Sequence, residues 1–89
     1  MTDRRWRRND NWLGSEVEDS FVMVDIDSGK YVALNVSAAA AWEALASPRT
    51  QAEVEHELRA RFDVPSDVCA ASTQSLLRRM QDLGLVVAV

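Results

Sequence analysis

Residues 26–45, IDSGKYVALNVSAAAAWEAL, change their hydrophobic period partway along, so no single regular element accommodates both halves. Asp27-Ser28-Gly29 predicts a tight hairpin loop, with Gly29 where a type I turn followed by a left-handed residue requires glycine. A three-residue loop fixes a register: Ile26 opposite Lys30, Val24 opposite Val32 and Val22 opposite Leu34, forming one apolar side of a ribbon. A four-residue loop pairing Val24 with Ala33 would scramble that side, so the shorter loop is preferred. Past Leu34-Asn35 the period becomes about 3.6, and Asn35 or Ser37 can cap a helix carrying Val36, Ala39, Trp42 and Leu45. Strand passes to helix almost without a spacer.

The flanking residues extend this pattern in both directions. Trp12-Leu13 and Val17 predict a first strand, Glu18-Asp19-Ser20 a turn, Phe21–Ile26 a second strand and Lys30–Leu34 a third. In this meander Val22, Val24, Val32 and Leu34 face the helices, Met23, Tyr31 and Ala33 face away, and the third strand lies at an edge. Thr50-Gln51-Ala52-Glu53 has the form of a capping box and opens a second helix, buried along Val54, Leu58 and Phe62 with His56 on the opposite face. Beyond Pro65, Ser66 is the expected cap of a third helix over 67–83, with Asp67 in its first turn where it suits the helix dipole. Two adjoining apolar groups run along that helix, Thr73, Leu77 and Met80 beside Cys69, Leu76 and Leu83. Gly84 ends it, and Leu85–Val89 is expected to add a final strand or to pack on the sheet. The reading is one α+β domain over residues 11–89, a three-stranded antiparallel meander followed by three helices.

Residues 1–10, MTDRRWRRND, have no apolar period and read as a flexible basic arm. Residues 1–8 hold four arginines and one aspartate, a net +3, so the overall charge of −4 leaves −7 on the remainder. An acidic body repels phosphates, which argues against a nucleic-acid partner even though three helices and a wing invite a DNA-binding reading. A single cysteine, Cys69, and a single histidine, His56, supply neither an internal disulfide nor an ordinary closed zinc site. The acidic residues are scattered over exposed faces, and Gly14, Gly29 and Gly84 are isolated from one another. No nucleophile–base pair, carboxylate pair or phosphate loop can be assembled, so an enzyme is not expected and no cofactor or metal is called for. No apolar run approaches the roughly 20 residues a bilayer requires, so the expected setting is the cytoplasm, without a membrane partner.

Gly29, Tyr31, Leu34-Asn35, Ser37-Ala38-Ala39 and Trp42-Glu43-Ala44-Leu45 stand in the order of a known signature, continued by Pro48-Arg49-Thr50, Val54, Leu58 and Phe62-Asp63-Val64. Leu77, Met80 and Gly84-Leu85-Val86 complete it. Over residues 20–87 the chain resembles the PqqD family of peptide-binding proteins. The resemblance implies a winged helix-turn-helix-like fold that acts as a RiPP recognition element, a peptide chaperone for ribosomally synthesised precursors that are later modified. Such a domain binds the precursor's leader segment and delivers it, without chemistry of its own, to a modifying enzyme such as a leader peptidase or cyclase. Phe21–Asp27 looks less like the members dedicated to the quinone-cofactor pathway, which favours a stand-alone member of the lasso-peptide type.

The mechanism that fits is strand addition, in which an extended peptide pairs with a sheet edge and inserts alternate side chains into pockets. In the family the groove lies between the third strand and the third helix. Carried over, this assigns peptide binding to Lys30, Tyr31, Val32, Ala33 and Leu34 through the backbone, and to Ser72, Leu76, Met80 and Leu83 on an apolar wall, with Arg79 at its margin facing an acidic leader residue. The competing expectations are a winged-helix DNA-binding regulator and a structural protein–protein adaptor.

Overall fold

The computed structural model describes residues 4–18, 20–63 and 65–89, so the expected roles of Asp19 in a turn and Val64 in the family signature lie outside the described residues. The elements run β1 (Arg5–Arg8), β2 (Trp12–Val17), β3 (Ser20–Asp25), β4 (Tyr31–Leu34), α1 (Val36–Ala44), β5 (Arg49–Thr50), α2 (Gln51–Arg61), α3 (Ser66–Asp82) and β6 (Val86–Ala88). The α+β meander and its three helices are present, and β4 is an edge of the β2-β3-β4 sheet. A second antiparallel sheet, ordered β5-β1-β6, joins the two ends of the chain. No helix of the described residues is long and apolar enough to cross a membrane.

The second sheet overturns part of the flexible-arm reading. Arg5–Arg8 is the central strand between β5 and β6, with Trp6 opposite both Arg49 and Ala88. Trp6 is buried in the common core, and burial of an indole offsets the entropy that would otherwise keep a short charged segment mobile. Arg8 adds a second anchor. Its Nε and Nη2 donate to the Trp42 carbonyl at 2.9 and 2.6 Å, and its guanidinium lies 4.7 Å from the Trp42 ring centroid. The Trp42 carbonyl is one of the last in α1, so this arginine caps a helix C-terminus while stacking on its aromatic side chain. Burial pulls the Arg8 pKa below its ordinary value, opposed by the charge of Glu43. Charge and the absence of an apolar period conceal this strand because its anchors are a single tryptophan and a guanidinium.

The β3–β4 hairpin forms one register away from the expected pairing. Val24 lies opposite Tyr31, Met23 opposite Val32 and Phe21 opposite Leu34. The loop therefore holds four residues, 26–29, between Asp25 and Lys30, whose carbonyl accepts from the Asp25 amide at 2.8 Å. Asp25 sets this loop: its carboxylate accepts from the Asp27 amide and the Ser28 hydroxyl, and its carbonyl accepts from Gly29, which has φ of 75°. A one-residue slip exchanges the faces of one strand. Val32 and Leu34 do face the helices as expected, but their partners there are Met23 and Phe21, while Val22 and Val24 turn outward with Tyr31 and Ala33.

The helices form for the reasons their sequences suggest. The Asn35 side chain accepts from Ala38 and starts α1, although Val36, expected in the buried stripe, is exposed at its first turn. Thr50 and Glu53 make both bonds of the capping box at α2, whose Val54 and Leu58 are buried. Ser66 is already within α3, which has Pro65 at the cap position and no side-chain cap, while Asp67 occupies the first turn as expected. Met23, Leu45, Val54, Leu77, Met80, Leu85 and Val86 are fully buried and close the core between both sheets and the helices.

Gly14 lies beneath the Phe21 ring: a Cβ there would meet ring carbons at 2.5 and 2.6 Å. Gly14→Ala is therefore expected to push Phe21 off β2 and lower stability by about 1–3 kcal/mol, as overpacking does. Urea unfolding checks this, and an unchanged midpoint would show that the ring moves aside freely.

Candidate binding groove

Backbone groups on an antiparallel edge alternate between the neighbouring strand and open space. Because Asp25 donates to Lys30 across the hairpin, the bonded pairs of β3–β4 are Asp25–Lys30, Met23–Val32 and Phe21–Leu34. The N–H and C=O groups of Val32 and Leu34 thus turn toward β3, and those of Tyr31 and Ala33 turn outward along the free edge. Lys30, expected to share in the edge, is committed to β3 through its carbonyl.

Along this edge opens a groove of about 720 Å³, between β4 and the start of α1 on one side and α3 on the other. Of the ten residues expected in the site, Val32, Ala33, Leu34, Ser72, Leu76, Arg79, Met80 and Leu83 line it, whereas Lys30 and Tyr31 do not. The Tyr31 side chain projects into solvent on the far face of the sheet, leaving only its backbone at the edge. Leu58 of α2 and Phe62 at its C-terminal cap, Asn35 and Ala38 at the start of α1, and Val68 of α3 also line the groove, and sequence reading did not assign them to it. Val68 had a visible signal, since it is an apolar residue one turn before Ser72 on the same helical face. Leu58 and Phe62 had none, because a stripe facing a groove and one facing a core have the same spacing.

Burial divides the apolar residues of α3 differently from the two expected groups, since Cys69 joins Thr73, Leu77 and Met80 in the interior. Cys69, Thr73, Leu77 and Met80 are buried, while Leu76 is partly buried and Leu83 is 43% exposed. Met80, expected on the wall, forms the floor and is a core residue. The Cys69 thiol lies 3.7 Å from the Glu55 carbonyl and 3.8 Å from the Thr73 hydroxyl, a satisfied interior position rather than a reactive one. Arg79 is the one ionic side chain among the lining residues, and it makes no ion pair among the described residues. The groove is thus an apolar trough with hydroxyls along one wall, one cation and a row of unpaired backbone groups. That combination suits an extended peptide with alternating apolar side chains and a carboxylate.

A small α+β domain with a free strand edge beside an apolar, singly charged groove has the geometry on which extended peptides add as strands. The family model described as coenzyme PQQ synthesis protein D (PqqD) matches residues 20–86, and the chain belongs to this family. Two solved structures share its fold. TbiB1 in complex with the TbiA(beta) leader peptide is 18% identical with a TM-score of 0.78, the match covering 90% of this chain and 93% of that one. Lasso peptide synthetase B1 complexed with the leader peptide is 21% identical, also with a TM-score of 0.78, over 92% of this chain and 96% of that one. No curated protein sequence matches the chain.

Proposed function

We propose that this protein recognises the leader segment of a ribosomally synthesised precursor peptide by adding it as a strand to β4, and delivers it to a modifying enzyme without catalysing a reaction itself. The observation that carries this reading is the groove between the free edge of β4 and α3, with the outward amides of Tyr31 and Ala33 at its lip. Support comes also from family membership and from two structural neighbours that were both solved with leader peptides bound. The lasso peptide synthetase neighbour favours a lasso-peptide pathway, and this reading puts the protein in the cytoplasm with a leader peptidase or cyclase as the recipient. Tethering a substrate in this way raises its local concentration at the enzyme. Val32 and Leu34 supply the sheet side of the trough, Leu76 and Leu83 the helix side, and Arg79 selects an acidic residue of the leader.

Leader titration by fluorescence anisotropy tests this reading, with a defined DNA duplex as competitor at low and moderate salt. Leader affinity is expected to decline only mildly with salt, because main-chain pairing and apolar burial dominate, whereas duplex binding would fall steeply. Tight duplex binding without leader binding would overturn it. In the same assay Leu83→Ala is expected to weaken leader affinity by roughly 1–2 kcal/mol, the scale of a lost aliphatic contact, while thermal unfolding hardly changes because Leu83 is exposed at the helix end. Leu76→Ala should lower both, since its side chain packs on the core as well as on the groove.

A further inference from the structure

The free edge does not stop with β4. Asn35 is still extended, with φ of −74° and ψ of 177°, and the trans peptide that joins it to Leu34 carries its C=O and N–H in opposite directions. The Leu34 carbonyl turns toward β3, because Leu34 and Phe21 are a bonded pair. The Asn35 amide therefore points out along the edge, next in line after those of Tyr31 and Ala33, and it has no hydrogen-bond partner among the described residues.

Asn35 differs from the two edge residues before it in where its acceptors go. Its carbonyl is drawn into α1, where it accepts from the Ala39 amide at 2.9 Å. Its side chain is divided in the same way: Oδ1 accepts from the Ala38 amide at 2.8 Å and caps the helix, which leaves Nδ2 with two N–H donors and no partner among the described residues. Serine and aspartate cap helices about as well as asparagine, so capping by itself leaves the side-chain amide without a role. The residue also lines the groove. Both acceptors are thus committed to α1, while a backbone donor and a side-chain donor remain where the edge meets the helix. An extended peptide lying along β4 presents main-chain carbonyl oxygens toward that edge.

We infer that Asn35 ends the leader ladder by taking main-chain carbonyl oxygens of the leader through its backbone N–H and through Nδ2, so that one residue both starts α1 and closes the binding edge. The inference deepens the proposed groove function and rests on it. It extends the pairing edge by one residue beyond β4, with donors only at that end.

The cognate precursor's leader, made as a fluorescein-labelled synthetic peptide, is titrated against wild type, Asn35→Ser and Asn35→Asp, and thermal unfolding is measured on each protein. Both variants keep a capping oxygen, so their melting temperatures should stay within about 2 °C of wild type. Expected are a loss of leader affinity of about three- to tenfold for Asn35→Ser, the scale of one hydrogen bond, and a larger loss for Asn35→Asp, which sets an acceptor against an acceptor. A capping role alone predicts equal affinity for all three proteins. The contact itself is read with leader peptides in which single amides are replaced by esters, whose carbonyls are weaker acceptors. One such replacement should weaken binding to wild type and have little further effect on Asn35→Ser, the non-additivity of groups in contact. If wild type binds leader and both folded variants match it within about twofold, or if the ester effects add fully at every position, the role of Asn35 is overturned and the groove reading stands. Failure of wild type to bind leader would overturn the groove reading and this inference with it.

Discussion

Trp6→Ala is expected to lower the unfolding free energy by about 3–5 kcal/mol, the usual result of truncating a buried aromatic side chain. For a domain whose total stability is on the order of 5–15 kcal/mol, that is a large share. The reason is local to the second sheet: Trp6 is buried in the core and sits in the strand that joins β5 to β6. Losing it also loosens the hold on Arg8, which caps α1 and stacks on Trp42. Urea unfolding followed by circular dichroism checks the value. A change below about 0.5 kcal/mol, the range of ordinary surface substitutions, would mean that residues 5–8 behave as the mobile arm their composition suggests. Because the groove lies on the other side of α3 from β1, leader affinity of the folded fraction should change little.

Ala33→Pro is expected to weaken leader binding by about 10- to 100-fold, because it leaves a peptide carbonyl without a donor at the edge and puts a ring in its path. Proline is tolerated on an edge strand when the missing amide faces solvent, and the Ala33 amide turns away from β3. The stability of this variant should therefore stay near wild type. Val32→Pro is the contrasting control, since the Val32 amide belongs to the β3–β4 ladder and its loss should destabilise the fold by about 1–3 kcal/mol. Paired measurements of thermal unfolding and leader titration separate the two effects. If a folded Ala33→Pro protein bound leader as tightly as wild type, pairing through that amide would be excluded.

Local chemistry was legible along the chain. The Asn35 cap, the Thr50–Glu53 capping box, the buried stripe of α2 and the strand-to-helix transition after Leu34 each depend on residues a few positions apart. The groove's place between β4 and α3 came instead from the family resemblance, and eight of the ten residues carried over from it line the groove. The hairpin register was misread because a three-residue loop closing on Gly29 also fits the string, and the choice falls to Asp25, whose carboxylate and carbonyl organise a four-residue loop. That single residue decides whether Met23 or Val24 enters the core.

What the sequence by itself determined about this protein is the kind and order of its central elements, because helix caps, turn glycines and hydrophobic periods act over a handful of residues. Only the tertiary structure decided the second sheet, since β1 pairs with β5 and β6 from the far half of the chain, and no local pattern in an arginine-rich segment announces a partner so distant. It also decided which apolar residues of α3 are core and which are wall, because Met80 and Leu83 differ less in chemistry than in what packs against them. Long-range contacts assign those roles by excluding water from one side chain and leaving it at the other.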